Sequence, residues 1–229
     1  MDLNIDIGEG GPADGALLEA ASSANIACGG HAGGGAVMRA ALELAARAGV
    51  AIGAHPGYRD PDNFGRVETG SPPPAIAAEV RRQLLDFSAA HGSPPHHVKP
   101  HGALYHRADR DAGVARALCR VIRETAPAAW VYAFAGGGLA RAAEAAGLRV
   151  CREGFIDRAY GADGTLVPRG SPGAVIDSPE AAAAQAVRLA AAGGVDTLCT
   201  HGDGARAADV LTRARNALQQ AGHRIGPPV

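Results

Sequence analysis

Residues 50–55 read VAIGAH, an apolar run of strand length that closes on a histidine. Before it lies AVMRAALELAARAG (36–49), and beyond a polar excursion lies PPAIAAEVRRQLLDFSAAHG (73–92); both are Ala-rich, of helical length and stopped by glycine. A third such helix reads ARAADVLTRARNALQQAG (205–222). The strand type recurs as LNIDI (3–7), ANIAC (24–28), HVKPH (97–101), WVYAFA (130–135), RVCREGF (149–155) and DTLCTH (196–201). Strands alternating with helices predict repeated βα units around a parallel sheet, an α/β fold.

Bulk composition narrows the function classes. A length of 229 with 47% hydrophobic residues fits one barrel-sized domain over 1–229. The formal charge of -1 supplies no basic field for nucleic acid or anionic lipid. No apolar run is long enough to span a bilayer, and MDLNIDIGEG has no leader-like basic segment or apolar core, so a cytoplasmic location is expected. Cys28, Cys119, Cys151 and Cys199 form no CxxC pair and read as small buried hydrophobes.

Polar residues collect where the strands end. Asp6 and Glu9 close the first, Asn25 and His31 flank the second, and His55 ends the third; Lys99 and His101 follow the fourth, Glu153 and Asp157 the sixth, His201 and Asp203 the seventh. In a parallel barrel all these ends open on one face, where the βα loops build the active site. Four imidazoles at strand ends are hard to explain together as satisfied core histidines, whereas Asp2, Asp14 and Asp163 read as caps or turns. His91, His96 and His223 read as solvated or capping residues, and His106 fits either class.

Lys99 is the only lysine beside 21 arginines. Under a composition that converts surface lysine to arginine, a site needing a compact ammonium resists replacement. The glycine loop CGGHAGGGAVM (28–38), through Gly33 and its neighbours, presents backbone N–H groups before a helix and suits an anion. Two excursions, PGYRDPDNFGRVETGSPPP (56–74) and DRAYGADGTLVPRGSPGAVIDSPE (157–180), read as structured site loops, and their Arg66, Arg158 and Arg169 suit a carboxylate clamp.

Together DLNIDIGEG, SANIACGGHAG, AIGAHPGY, FGR, VKPHGALY, DRAYGADGTLVPRGSPGAVI and CTHGD, in order from residue 2 to 203, resemble the LamB/YcsF family. The resemblance implies a seven-stranded (β/α) TIM-like barrel of the glycoside hydrolase/deacetylase type. It further implies the A subunit of a bacterial 5-oxoprolinase, which with subunits B and C opens 5-oxo-L-proline to L-glutamate, with ATP as co-substrate and Mg2+. This chain departs from the family pattern at Gly30 (an aromatic in the family), Gly34 (an acid), Val67 (an arginine), Gly204 and Ala205, and the segment between Gly173 and Asp196 is shorter.

On that implication Lys99, with Arg158 or the Gly33 loop, would offset phosphate charge, and His55 or His101 with Asp6 would activate water. Glu9, Asn25, His31, Arg66, Glu153, Asp157, His201 and Asp203 would contact substrate or phosphate. Two rival readings remain open. One is a stand-alone metal-dependent deacetylase or amidohydrolase with Asp6 and two of His55, His101 and His201 as ligands. The other is a non-catalytic subunit that presents substrate to its partners.

Overall fold

The computed structural model describes residues 1–11, 13–202, 204 and 206–229. Seven strands, β1 (Asp2–Ile7), β2 (Ser23–Ala27), β3 (Ala51–His55), β4 (His97–Val98), β5 (Trp130–Phe134), β6 (Arg149–Phe155) and β7 (Thr197–Thr200), pair in chain order, and β7 returns to β1 to close a barrel. Every pairing is parallel. Around them run α1 (Asp14–Ala20), α2 (Gly35–Ala48), α3 (Pro73–His91), α4 (Gly102–Arg110), α5 (Ala112–Thr125), α6 (Gly138–Ala145), α7 (Pro179–Ala192) and α8 (Ala207–Gln220). Gly49 and Gly92 end α2 and α3 in the left-handed conformation that glycine adopts without penalty. Among the described residues no helix is long and apolar enough to cross a membrane.

All seven expected strands form, and the fourth is the one that shrinks. HVKPH keeps ladder geometry only over His97–Val98, because Pro100 has no N–H to donate. The chain still follows β3, with Lys99 N donating to Ala54 O (3.0 Å) and His101 N to Pro56 O (2.8 Å). Residues 97, 99 and 101 therefore keep the two-residue alternation of a strand and share one face.

That alternation produces an unusual interior. On β1, Leu3, Ile5 and Ile7 belong to the apolar core, while Asp2, Asn4 and Asp6, also buried, join a polar network. A parallel barrel is ordinarily filled by branched apolar side chains; here its axis is filled by hydrogen-bonded polar ones. Asp2, expected as a cap or turn, is instead the lowest hub of this network. It accepts from Ser22 Oγ (2.6 Å), Ser23 Oγ (2.7 Å), Tyr132 OH (2.9 Å) and Thr197 Oγ1 (2.7 Å). Asn4 Nδ2 donates to Thr197 Oγ1 (2.8 Å) and Glu153 Oε1 (3.0 Å), carrying the network upward. Asp14 and Asp163 do serve local turns, accepting from Gly8 N and Thr165 N.

The two excursions flank the open end of the barrel. The first holds a short 3-10 turn, Pro61–Asn63, then Phe64 and Gly65 with positive φ (55° and 63°). Gly65 permits a close approach: a Cβ there would lie 2.6 Å from His31 Cβ. The second folds back on itself through bridges pairing Arg158 with Val175 and Tyr160 with Leu166.

Candidate active site

At the C-terminal ends of the strands the loops enclose a cavity of about 480 Å³, within the range of small-molecule sites. Asp6, Glu9, His55, Lys99, His101 and His201 line its inner part. Arg66, Arg158 and Arg169 line it from the excursions, and His106 from α4. Asn25, His31, Glu153 and Asp157 stand one layer behind, bonded to residues that line it. Gly33 is elsewhere: its loop borders a separate hollow with Arg39 and Arg82, and Gly33 packs so tightly that a Cβ would meet Gly8 O at 2.7 Å. The anion-loop expectation for Gly33 therefore has no place in the cavity. Asp203 lies outside the described residues.

Two buried clusters form the inner cavity. In the first, the Lys99 ammonium lies 2.9 Å from Glu153 Oε1, 3.1 Å from Asp6 Oδ1, 3.1 Å from Asn4 Oδ1 and 3.0 Å from Cys199 Sγ. Four acceptors face three protons. Burial disfavours the charged ammonium, but Asp6, Cys199 and Glu153 outweigh it and hold its pKa well above the usual lysine value. Burial likewise pushes the Asp6 carboxyl up, yet neighbouring His55 and Lys99 keep it well below the usual carboxylate range. The ammonium expected to meet phosphate is thus occupied as the counter-charge of two carboxylates. Arg158 is occupied too: it donates to Val167 O (2.6 Å) and Ala174 O (3.3 Å) and braces its own loop.

The second cluster comprises Glu9, His31, His55 and His101, whose candidate ligand atoms all lie within 4.8 Å of one another. His55 Nε2 and His101 Nδ1 are 2.9 Å apart. Glu9 Oε1 is 2.8 Å from His31 Nε2, 3.3 Å from His101 Nδ1 and 3.8 Å from His55 Nε2. His31 and His101 stack in parallel with centroids 3.5 Å apart. Burial lowers the pKa of His31 to about 4, and burial lowers that of His101 as well. Burial raises Glu9, but its contacts with His101 and His31 prevail and hold its pKa below the usual carboxylate range. Asp6 Oδ2 approaches His55 Nε2 at 3.5 Å. His201, a candidate ligand beside Asp6, His55 and His101 in the metallohydrolase reading, turns instead to Asp157, its Nδ1 lying 2.8 Å from Asp157 Oδ2. Burial opposes the imidazolium there, yet the Asp157 charge raises the His201 pKa above its ordinary value.

Several contributors escape a reading of strand ends. His97, fully buried, sets its Nε2 2.7 Å from Asn25 Oδ1 and stacks on Tyr132. Asn25 Nδ2 in turn donates to Asp6 Oδ1 (2.8 Å), so His97 helps to orient Asp6. The alternation His97, Lys99, His101 is the sequence signal that places all three inward. Gln83 is legible only through packing. Its amide pairs with both backbone groups of Gly57 (Nε2 to O 2.7 Å, Oε1 to N 3.1 Å) and fills the space that a side chain at Gly30 would need, since a Cβ there would lie 2.7 Å from that amide. Of the four cysteines, all buried and free, Cys199 does more than fill space, since it faces Lys99.

These features coincide with a sequence match along the whole chain. Residues 1–229 match the LamB/YcsF family. The A subunit of 5-oxoprolinase from Symbiobacterium thermophilum is 45% identical over 248 residues, spanning 100% of this chain and 95% of that protein. The crystal structure of a lactam utilization protein from Thermus thermophilus superimposes with TM-score 0.89 at 40% identity, covering 99% of this chain and 98% of that one. A family 4 carbohydrate esterase from Streptomyces lividans, solved with acetate, shares the fold at TM-score 0.58 and 14% identity, covering 100% of this chain and 91% of that one. The closed seven-stranded barrel is shared with these structures, and its strand-end motifs lie in a match that runs the full length: the chain belongs to the LamB/YcsF family.

Proposed function

We propose that this chain is the A subunit of an ATP-dependent 5-oxoprolinase, opening the lactam of 5-oxo-L-proline to L-glutamate together with subunits B and C. The observation that carries the reading is the full-length 45% identity to a protein of that name. A cavity suited to a small ring, lined by the Asp6 and Glu9 carboxylates and the His201 imidazole, supports it.

Amide resonance makes the lactam carbonyl a poor electrophile, and ATP, as co-substrate with Mg2+, would activate it by phosphorylating the amide oxygen. Water then adds to the carbonyl carbon, the C–N bond breaks with nitrogen leaving as the amine, and a second water would cleave the resulting acyl phosphate to L-glutamate and inorganic phosphate. The proton released by water passes to a carboxylate on the Asp6 and Glu9 side, both held ionised at neutral pH. The departing nitrogen takes a proton from His201, whose pKa Asp157 raises. Arg66 and Arg169, on the excursions, face the carboxylate or phosphoryl charge from the outer wall. Lys99 acts through Asp6, fixing its charge and orientation. The test is glutamate release from 5-oxoproline by this chain with and without subunits B and C and with and without ATP. Release that needs all of them supports the reading; none from a fully assembled complex removes the substrate assignment.

A second reading, ATP-independent amide or ester hydrolysis by this chain alone, is favoured by the cluster of Glu9 and three histidines. Turnover of acetylated or cyclic amides by the isolated chain, abolished by a chelator, would select it.

A further inference from the structure

We infer that Glu9, His55 and His101 bind one divalent transition-metal ion at the cavity floor, with His31 as the group that orients Glu9. The positions of the ring hydrogens point there first. His55 Nδ1 lies 2.8 Å from Lys99 O, and His101 Nε2 lies 2.9 Å from Phe64 O. Carbonyl oxygens only accept, so both of those ring nitrogens carry hydrogen. In the neutral rings the other nitrogens, His55 Nε2 and His101 Nδ1, are then lone pairs, and they face each other at 2.9 Å with the Glu9 carboxylate beside them. Two lone pairs and an anion converging on one point call for a cation. The Lys99 ammonium is turned to Asp6, Glu153, Asn4 and Cys199.

The spacing suits a metal. Two bonds of about 2.0–2.1 Å at a tetrahedral angle put ligand atoms about 3.3 Å apart. The three edges here, 2.9, 3.3 and 3.8 Å, bracket that value. Metal-binding histidines characteristically donate their remaining N–H to a backbone carbonyl, as both do here, and a ligating carboxylate is itself hydrogen-bonded. His31 supplies that last bond. Its Nδ1 is buried without a partner among the described residues; as a lone pair this is tolerable, whereas as an N–H it would be an orphaned buried donor, so Nε2 carries the proton and donates to Glu9. Glu9, His55 and His101 line the cavity and His31 does not, which leaves the remaining coordination position facing substrate. Two imidazoles and one carboxylate suit Zn2+, Co2+ or Ni2+ better than Mg2+ or Ca2+. Such an ion supplies a water of lowered pKa and polarises a carbonyl oxygen.

The rival occupant is a single proton shared between His55 Nε2 and His101 Nδ1. Chelator-treated full-length chain titrated with Co2+, followed by calorimetry and visible absorption, separates the two. A metal site gives one ion per chain and the intense visible bands of low-coordinate Co2+. Glu9→Ala and His101→Ala, confirmed folded by thermal unfolding, then weaken binding by more than about 100-fold, and His31→Gln by about 10- to 100-fold, the loss typical of an outer partner. His106→Ala, on the cavity wall outside the triad, leaves the affinity unchanged. Where an alanine variant does not fold, Glu9→Gln replaces it. Absence of stoichiometric binding to the unmutated chain, or affinity indifferent to Glu9 and His101, overturns the inference. The readout is binding, so failure of glutamate release in the assembled complex would remove the lactam reading and leave the metal site standing.

Discussion

The two clusters at the cavity floor are built from the same kinds of group yet differ in how fully they are satisfied. Around Lys99 four acceptors crowd three donors, and the cluster is closed. Around His55 and His101 the donors point outward to backbone carbonyls, and the lone pairs are left facing inward. Both are buried and both shift pKa values strongly, so perturbation alone does not distinguish a structural cluster from a receptive one. The direction of the hydrogen atoms does. A saturated cluster holds the protein's own charges, and an unsaturated one holds something that arrives.

That contrast can be broken most decisively at Lys99. Lys99→Ala leaves Asp6 and Glu153 buried without their counter-charge, and such a break costs about 3–5 kcal/mol. Urea unfolding should show it as a large drop in midpoint, while His101→Gln in metal-free protein changes stability by no more than about 1 kcal/mol. Equal effects would erase the distinction between the clusters. A smaller effect sharpens the support of the receptive cluster. Gly30→Phe forces an aromatic into the space of Gln83, and overpacking of that kind costs about 1–3 kcal/mol. Gln83→Ala in the same chain should recover most of that loss, and a strictly additive double variant would show that the two positions do not share the space. The subtlest change concerns the third ionisable pair. Asp157 raises the pKa of His201, so the acid form persists until pH climbs through that raised value. Asp157→Asn removes the cause, and the alkaline limb of the pH profile for glutamate release should move to lower pH; an unmoved limb would assign it to another group.

Much of this molecule was legible before its structure. Strand and helix periods gave the seven βα units, because those periods are local properties of the chain. The polar strand ends marked the face on which the cavity lies, and the motifs around them carried the family resemblance. Pairing was not legible. Nothing in the sequence says that Lys99 turns to Glu153, or that His201 turns to Asp157 and away from the other histidines, since those choices depend on side-chain directions set by all seven strands. Asp2 read as a turn residue because its partners Ser23, Tyr132 and Thr197 are scattered over three other strands. Gly33 read as an anion loop because its backbone chemistry suits one, while its orientation is fixed by packing on Gly8 and Ala27. Gln83 and Gly30 are 53 positions apart, and only contact relates them.

The polar axis of the barrel has a consequence for how the protein assembles. Thr197 and Cys199 are delivered by the last strand, and their partners Asp2, Asn4 and Lys99 sit on the first and the fourth. Any of those partners left buried without the last strand's groups would be penalised by about 1–3 kcal/mol. The last strand, which closes the ring, also completes the hydrogen bonding of the chemistry-bearing floor.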